Sequence, residues 1–256
     1  MPDGSAPSPP ASTVSLSNRA QAPALQPPEP GSLYVIATPI GHLGDLSPRA
    51  AHLLRTCDLI ACEDTRVTRN LLTHAGSSRP LVSYHDHREI AQAEHLVEKL
   101  RTGQSVALVS DAGTPNISDP GFRVVRACRR AGLPVIPVPG PSALLAALCA
   151  SGLPTHGFLF AGFLPPKSAA RRRFLAKYRD FEYTIILYES CHRIAALADD
   201  LVAELGPTRI VGLARELTKK FETFLLGPAG EMPAKLVGNN LRGEFTVLIA
   251  PADYEW

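Results

Sequence analysis

The sequence has no apolar run close to the roughly 18 residues a membrane-spanning helix needs, so no membrane partner is expected. Cysteines are few and odd in number: five, at positions 57, 62, 128, 149 and 191. No CxxC pair occurs, and the separation of Cys57 from Cys62 is not a usual ligand spacing. That argues against a disulfide framework and against a zinc site, and no metal is expected. The thiols read as reduced and mostly buried, which suits a cytoplasmic protein. Charge of one sign is also missing: 26 basic residues face 24 acidic ones, for a net +2. Bulk electrostatics therefore names no polyanionic partner, and any nucleic-acid contact must rest on local clusters. No internal repeat is visible.

What remains is an ordinary globular composition, 45% hydrophobic and 20% charged over 256 residues. That is enough chain for one large domain or two modest ones with a buried core. Residues 1–32 hold eight of the 24 prolines and almost no large apolar side chain. Such a stretch buries too little surface to offset its ordering entropy, and reads as a disordered tail. It lacks a basic start followed by an apolar core, so it does not read as a signal peptide.

From residue 33 the pattern changes. Strand-like runs at 33–38, 58–62, 81–84, 105–110 and 134–138 alternate with helical stretches. Ser47-Pro48 and Asp119-Pro120 read as N-cap followed by proline, Asp64 as a cap, and Gly76, Gly103 and Gly132 as helix ends. Strict alternation predicts a mostly parallel sheet with helices on both faces. Residues 151–157, SGLPTHG, read as a linker. Beyond it, runs at 158–163, 183–189, 208–214, 221–226 and 244–250 have fewer helices between them, chiefly 168–180 and 192–205. The expectation is therefore an N-terminal α/β domain over 33–150 and a C-terminal α/β domain over 158–256 with a more mixed sheet.

In open α/β sheets, ligands bind beyond the carboxyl ends of the strands. TPIGHLGD at 38–45 sits in such a place, with glycines that permit close backbone approach; it is neither GxGxxG nor a P-loop, and a tight structural turn is the plainer reading. SDAGTPNISDPG at 110–121 is a costly polar loop to order without a ligand. Asp119 has a structural reason as a helix cap; Asp111 has none. VPGPSALLA at 138–146 runs a strand into a helix N-terminus with free N–H groups, or is plain helix–sheet packing. SYHDHRE at 83–89 offers His85 and His87 for substrate contact or proton transfer, against an exposed polar loop. YESCHR at 188–193 and ARELTKKFE at 214–222 mix carboxylates with basic groups, and a structural ion pair such as Glu189 with Arg193 is the bland alternative. KSAARRRFLAKYR at 167–179 carries six basic residues and no acidic one, which suits phosphate contact or a solvated helix face.

Taken in order, ATPIGHLGDLSPRA, IACEDTRVTRNLL, SYHDHRE, VALVSDAGTPNISDPG, VPVPGPSALLAAL, FLPPK, YESCHRI and ARELTKKFE resemble the ribosomal RNA small subunit methyltransferase I family, within the tetrapyrrole methylase superfamily. The resemblance covers nearly all of 33–250. It implies two α/β domains with S-adenosylmethionine between them, and 2′-O-methylation of a cytidine ribose in 16S rRNA of the small ribosomal subunit. It also implies a homodimer. By motif position it carries cofactor contacts onto Ile40, Asp111, Gly113, Thr114, Ser142, Ala143, Tyr188, Ala214 and Phe245. Loop placement makes Glu63, Asp64, His85, His87 and Glu189 candidates for a general base, and local charge makes Lys167, Arg171, Arg172, Arg173 and Lys219 candidates for RNA contact. The sequence departs from the family pattern at His42, Asn116 and Cys191, and many members' helical C-terminal appendage has no counterpart in it. Two rival readings keep the fold: a methyltransferase of a small molecule or protein, and a non-catalytic ribosome- or RNA-binding protein.

Overall fold

The computed structural model describes residues 25–84 and 89–255. The loop histidines His85 and His87 lie outside them. Two five-stranded sheets carry the chain. The first has the order β3-β2-β4-β1-β5 and is parallel throughout. Its strands are β1 (Leu33–Ile36), β2 (Leu59–Cys62), β3 (Leu81–Ser83), β4 (Val106–Val109) and β5 (Val135–Val138). Between them run α1 (Pro48–Thr56), α2 (Thr65–Ala75), α3 (Glu89–Arg101) and α4 (Phe122–Arg130).

Period-two alternation sorts the side chains of β1 between two cores. Tyr34 and Ile36 pack with Leu53 and Leu54 of α1 and Leu72 of α2. Leu33 packs on the other face with Leu96 and Leu100 of α3 and Val124 of α4. Both faces are covered, which is why the strands read as continuous apolar runs. The expected caps at the first two helices are in place. Ser47 Oγ accepts from the Ala50 N–H, with Pro48 at the first helical position, and the Asp64 side chain accepts from the Arg66 N–H. Gly76 ends α2 in the left-handed conformation, φ 67°.

The cap expected at Asp119 is not there. Helix α4 starts at Phe122, with Gly121 at its N-cap and no side-chain capping bond. Asn116 and Ser118 both have positive φ, 73° and 67°, so the preceding loop coils back instead of feeding directly into the helix. Gly121 itself sits at φ 138°, and a Cβ there would overlap the Asn116 side chain.

The second sheet has the order β6-β7-β10-β8-β9. Its strands are β6 (Phe158–Phe163), β7 (Thr184–Ser190), β8 (Ile210–Arg215), β9 (Thr223–Pro228) and β10 (Glu244–Ile249). Only β6 and β7 are parallel, so the sheet is mixed, as expected. Helices α6 (Ser168–Lys177), α7 (Ile194–Leu205) and α8 (Met232–Lys235) follow. Leu175, Leu197 and Met232 from these three helices share one core with Ile185, Leu187 and Val247 of the sheet. The opposite face is covered by α5 (Ala143–Ala150), whose Leu144, Ala147 and Leu148 pack on Ile186, Ala214 and Leu248. A helix that precedes the expected linker thus packs on the second sheet and fastens the two sheets together. No helix among the described residues is long and apolar enough to cross a membrane.

Candidate active site between the two sheets

Strand β1 lies between β4 and β5, so the loops that leave these three carboxyl ends are neighbours. An isolated bridge locks two of them. The Thr38 N–H donates to the Gly113 carbonyl at 2.9 Å, and the Gly113 N–H donates back at 3.0 Å. Gly113 has φ 80°, and a Cβ there would stand 3.3 Å from Ile40 Cγ2. The loop after β5 closes on both: Thr114 Oγ1 donates to the Pro141 carbonyl at 3.1 Å. A Cβ on Gly140 would meet that of Ala37 at 3.0 Å.

These loops form one wall of a cleft of about 350 Å³, and the second sheet forms the other. Ile40, Asp111, Gly113, Thr114, Ser142 and Ala143 border it from the first sheet. Tyr188, Ala214 and Phe245 border it from the second. Every residue that the resemblance assigned to the cofactor is therefore on this one cleft. Tyr188 spans the walls, its hydroxyl accepting from the Leu144 N–H at the start of α5, 3.3 Å. Burial pushes the Tyr188 phenol upward, so it stays neutral. The Phe245 side chain packs in the core beneath α6 and α7, which leaves its main chain at the cleft wall.

The charge of the cleft is one-sided. Among the described residues that line it are six carboxylates, Glu63, Asp111, Asp119, Glu189, Glu216 and Glu244, and one cation, Lys219. Lys219 Nζ is held by Glu216 Oε1 at 2.9 Å and Glu244 Oε2 at 2.8 Å. Burial opposes its charge, but those two hydrogen bonds outweigh burial and hold its pKa up. Glu216 and Thr218 are in left-handed backbone, φ 52° and 65°, and the Thr218 hydroxyl accepts from the His42 N–H at 3.1 Å. The turn after β8 thereby straps the second sheet to the loop after β1.

The candidate bases separate. Glu63 and Glu189 line the cleft. Asp64 does not: its carboxylate caps α2 and pairs with Arg66 at 2.6 Å, contacts that draw its pKa down to about 2. Glu189 is fully buried, and its Oε1 takes the Arg193 guanidinium at 2.7 Å and the Ser190 N–H at 2.8 Å. Its Oε2 is buried without a hydrogen-bond partner among the described residues. Asp111 Oδ1 accepts from the Asp64 N–H at 3.0 Å, and burial raises its pKa.

The basic residues of the run at 167–179 are exposed except Arg171. Arg171 is 3% exposed and bound to Asp200 at 2.7 Å, so it cannot reach RNA. Arg172 pairs with Glu204 at 2.6 Å. Lys167 and Arg173 are exposed. Lys219 faces the cleft with its charge matched. Sequence reasoning missed a different basic surface. Helix α4, FRVVRACRR, buries Val124 and Cys128 and exposes Arg123, Arg126, Arg129 and Arg130, with no acidic residue. Its 3–4-residue arginine spacing was the available signal. It also missed Asp119, Ile117 and Phe163 as cleft residues.

A family model for tetrapyrrole (corrin/porphyrin) methylases matches residues 32–233. The chain belongs to the tetrapyrrole methylase family. Among its relatives, the ribosomal RNA small subunit methyltransferase I of Xylella fastidiosa is 53% identical over 225 residues, 87% of this chain and 82% of that protein. The protein of the same name from Escherichia coli O157:H7 is 49% identical over 221 residues, 86% and 77% of the two chains. Among solved structures, the methyltransferase CobJ superposes with a TM-score of 0.65 at 20% identity, covering 88% of this chain and 96% of that one. Uroporphyrin-III C-methyl transferase from Thermus thermophilus, complexed with S-adenosyl homocysteine, superposes with a TM-score of 0.59 at 20% identity, 86% and 98% covered. At those identities the likeness speaks for the fold.

Proposed function

We propose that this chain methylates the ribose 2′-hydroxyl of a cytidine in 16S rRNA of the small ribosomal subunit, using S-adenosylmethionine held in the cleft between the sheets. The observation that carries this reading is the convergence of the loops after β1, β4 and β5 with the ends of β7, β8 and β10 on one cleft. The residues fit the donor. The volume lies in the range of small-molecule sites, Gly113 leaves room that a Cβ would fill, and the excess of carboxylates suits a cationic sulfonium. Bound there, S-adenosylmethionine supplies an electrophilic methyl group. Asp111 and Thr114 offer acceptors on the first-sheet wall, and Glu189 Oε2 offers a buried acceptor on the second. The bridge between Thr38 and Gly113 and the bond from Leu144 to Tyr188 fix these groups before any ligand arrives. Such pre-set alignment is worth up to about 7–11 kcal/mol in a displacement reaction.

The same charge pattern sets how RNA docks. A cleft lined by carboxylates repels phosphates, so only the target nucleoside enters while the backbone stays outside. The exposed arginines of α4 supply the counter-charge there. That helix begins three residues after Asp119, which lines the cleft. Relatives named as rRNA methyltransferases favour this substrate over a tetrapyrrole. A cytoplasmic location and a homodimer belong to the same reading. The test is tritium transfer from labelled S-adenosylmethionine to undermethylated small subunits, with the methyl position read by mass spectrometry of the nucleosides. Label in 2′-O-methylcytidine is expected. Label in another position, or none, overturns the reading.

A further inference from the structure

The loop after β4 contains a carboxylate with no structural task. Asp119 would be unremarkable as a helix cap, but α4 starts at Phe122 and has no side-chain cap. The loop coils through Asn116 and Ser118 in left-handed backbone, and this brings Asp119 to the cleft wall. Four groups from three strands face it. The Ser110 side chain, at the end of β4, stands close enough for a polar contact that favours its ionised form, although the Ser110 hydroxyl donates to the Ala112 carbonyl at 3.3 Å. Asp111 beside Ser110 and Glu244 at the start of β10 add negative charge. Tyr188 of β7 stands near enough for its phenol to feel the Asp119 charge. No cation contacts it among the described residues, and Lys219, the cation of the cleft, is held by Glu216 and Glu244.

We propose that Asp119 is the general base that accepts the proton of the substrate hydroxyl. This rests on the methyltransferase reading above. The substrate oxygen forms its bond to the methyl carbon, the carbon–sulfur bond breaks with its electron pair kept by sulfur, and the hydroxyl proton passes to an Asp119 carboxylate oxygen and then to water. The surroundings suit that task. Burial, joined by the charges of Asp111 and Glu244 and partly offset by the Ser110 hydroxyl, pushes the carboxyl up to about 6. It is then ionised at neutral pH yet a stronger proton acceptor than an ordinary carboxylate. Four of its rivals in the cleft have assigned partners: Glu189 Oε1 is held by Arg193, Glu216 and Glu244 by Lys219, and Asp111 by the Asp64 N–H; Glu63, the fifth, also has a partner.

The experiment compares wild type, Asp119→Asn and Asp119→Glu in single-turnover methylation of small subunits across pH 5–9. S-adenosylhomocysteine affinity is measured alongside by calorimetry. Wild-type turnover is expected to rise through about pH 6 and level off. Asp119→Asn is expected to lose about 10²–10⁴-fold in rate with unchanged S-adenosylhomocysteine affinity, and Asp119→Glu to recover part of it. A readout free of activity is the carboxyl ¹³C resonance of Asp119, assigned by its loss in Asp119→Asn, which is expected to titrate near pH 6. No transfer by wild type overturns the function reading and the base with it. Full rate in Asp119→Asn with an active wild type overturns the base alone. Loss of rate that tracks loss of S-adenosylhomocysteine binding also overturns it, in favour of a holding role. Should Asp119→Asn not fold, the wild-type resonance, assigned instead by its displacement in Asp119→Glu, decides, and titration at an ordinary carboxylate value refutes the proposal.

Discussion

Replacing Arg171 by Gln removes one side of a buried ion pair and leaves the other in place. Arg171 Nη2 and Nε contact Asp200 Oδ2 at 2.7 and 2.8 Å, and a third guanidinium bond reaches the Pro166 carbonyl at 2.8 Å. The side chains are only 3% and 8% exposed. After the substitution, Asp200 keeps the Ser168 hydroxyl at 2.6 Å and no cation. Breaking a buried pair in this way costs about 3–5 kcal/mol. For a chain of this size each kcal/mol shifts Tm by about 2–4 °C, so a fall of roughly 6–20 °C is expected. Differential scanning calorimetry measures it. The companion variant Asp200→Ala with Arg171→Met removes both charges and is expected to recover most of the loss, because neither charge is left alone. RNA affinity provides the second axis: the salt slope of binding by folded Arg171→Gln is expected to equal that of wild type. A Tm within about 2 °C of wild type combined with a flatter salt slope would refute the reasoning, since that pair of results belongs to an exposed phosphate contact.

Arg126→Gln with Arg130→Gln, both on exposed positions of α4, is expected to flatten the salt dependence of RNA binding by about two in slope and to leave Tm unchanged; fluorescence anisotropy across a salt series checks it, and an unaltered slope removes α4 from the interface. Gly113→Ala is expected to weaken S-adenosylhomocysteine binding, because φ 80° strains an L-residue by about 1–2 kcal/mol and the new methyl would press on Ile40; calorimetry with unchanged affinity would count against the site. Burial pushes the thiols of Cys57 and Cys128 up to about 12 and 11, whereas Cys149 is exposed. Maleimide at pH 8 is therefore expected to modify Cys149 first, as read by peptide mass spectrometry. Asp119→Asn is expected to raise Tm at pH 8. A carboxyl raised to about 6 in the fold from 3.8 penalises the folded state above pH 6, and that penalty disappears as pH falls toward 4. The full shift corresponds to at most about 3 kcal/mol before solvent screening reduces it, and a gain independent of pH would contradict this origin.

Much of the fold was legible because its signals are local. Buried parallel strands read as unbroken apolar runs, and Ser47-Pro48, Asp64 and Gly76 mark helix ends through bonds made within a few residues. The cofactor wall was legible for a related reason: the loops after β1, β4 and β5 are rich in glycine and proline, and strand order alone makes them neighbours. Long-range partners were not legible. Arg171 and Asp200 are 29 positions apart, and nothing in KSAARRRFLAKYR distinguishes the arginine that turns inward from the two beside it. The packing of α5 on the second sheet is likewise invisible in SALLAALCA, a helix apolar enough to suit either sheet.

Asp119 shows how a correct local rule can point away from function. Ser47-Pro48 and Asp119-Pro120 are the same signal, and the first is a real cap. The second differs through its surroundings. Asn116 tolerates left-handed backbone better than most residues, because its short polar side chain suits that region. The same side chain occupies the space above Gly121 and leaves its Oδ1 buried without a partner among the described residues. Ser118 is turned the same way, and Gly121 takes a φ that only glycine adopts with ease. Two left-handed non-glycine residues and a position that demands glycine, within six residues, are not what a simple cap requires. They are accounted for if the loop is shaped to carry Asp119 past the helix start and into the cleft, where a half-buried carboxylate among other carboxylates costs stability and gains a proton acceptor. The departure at Asn116 is then part of how this chain holds the loop, and Asn116→Ala is expected to lower the methylation rate more than it lowers S-adenosylhomocysteine affinity. Equal losses of both would show that the loop serves the cofactor alone.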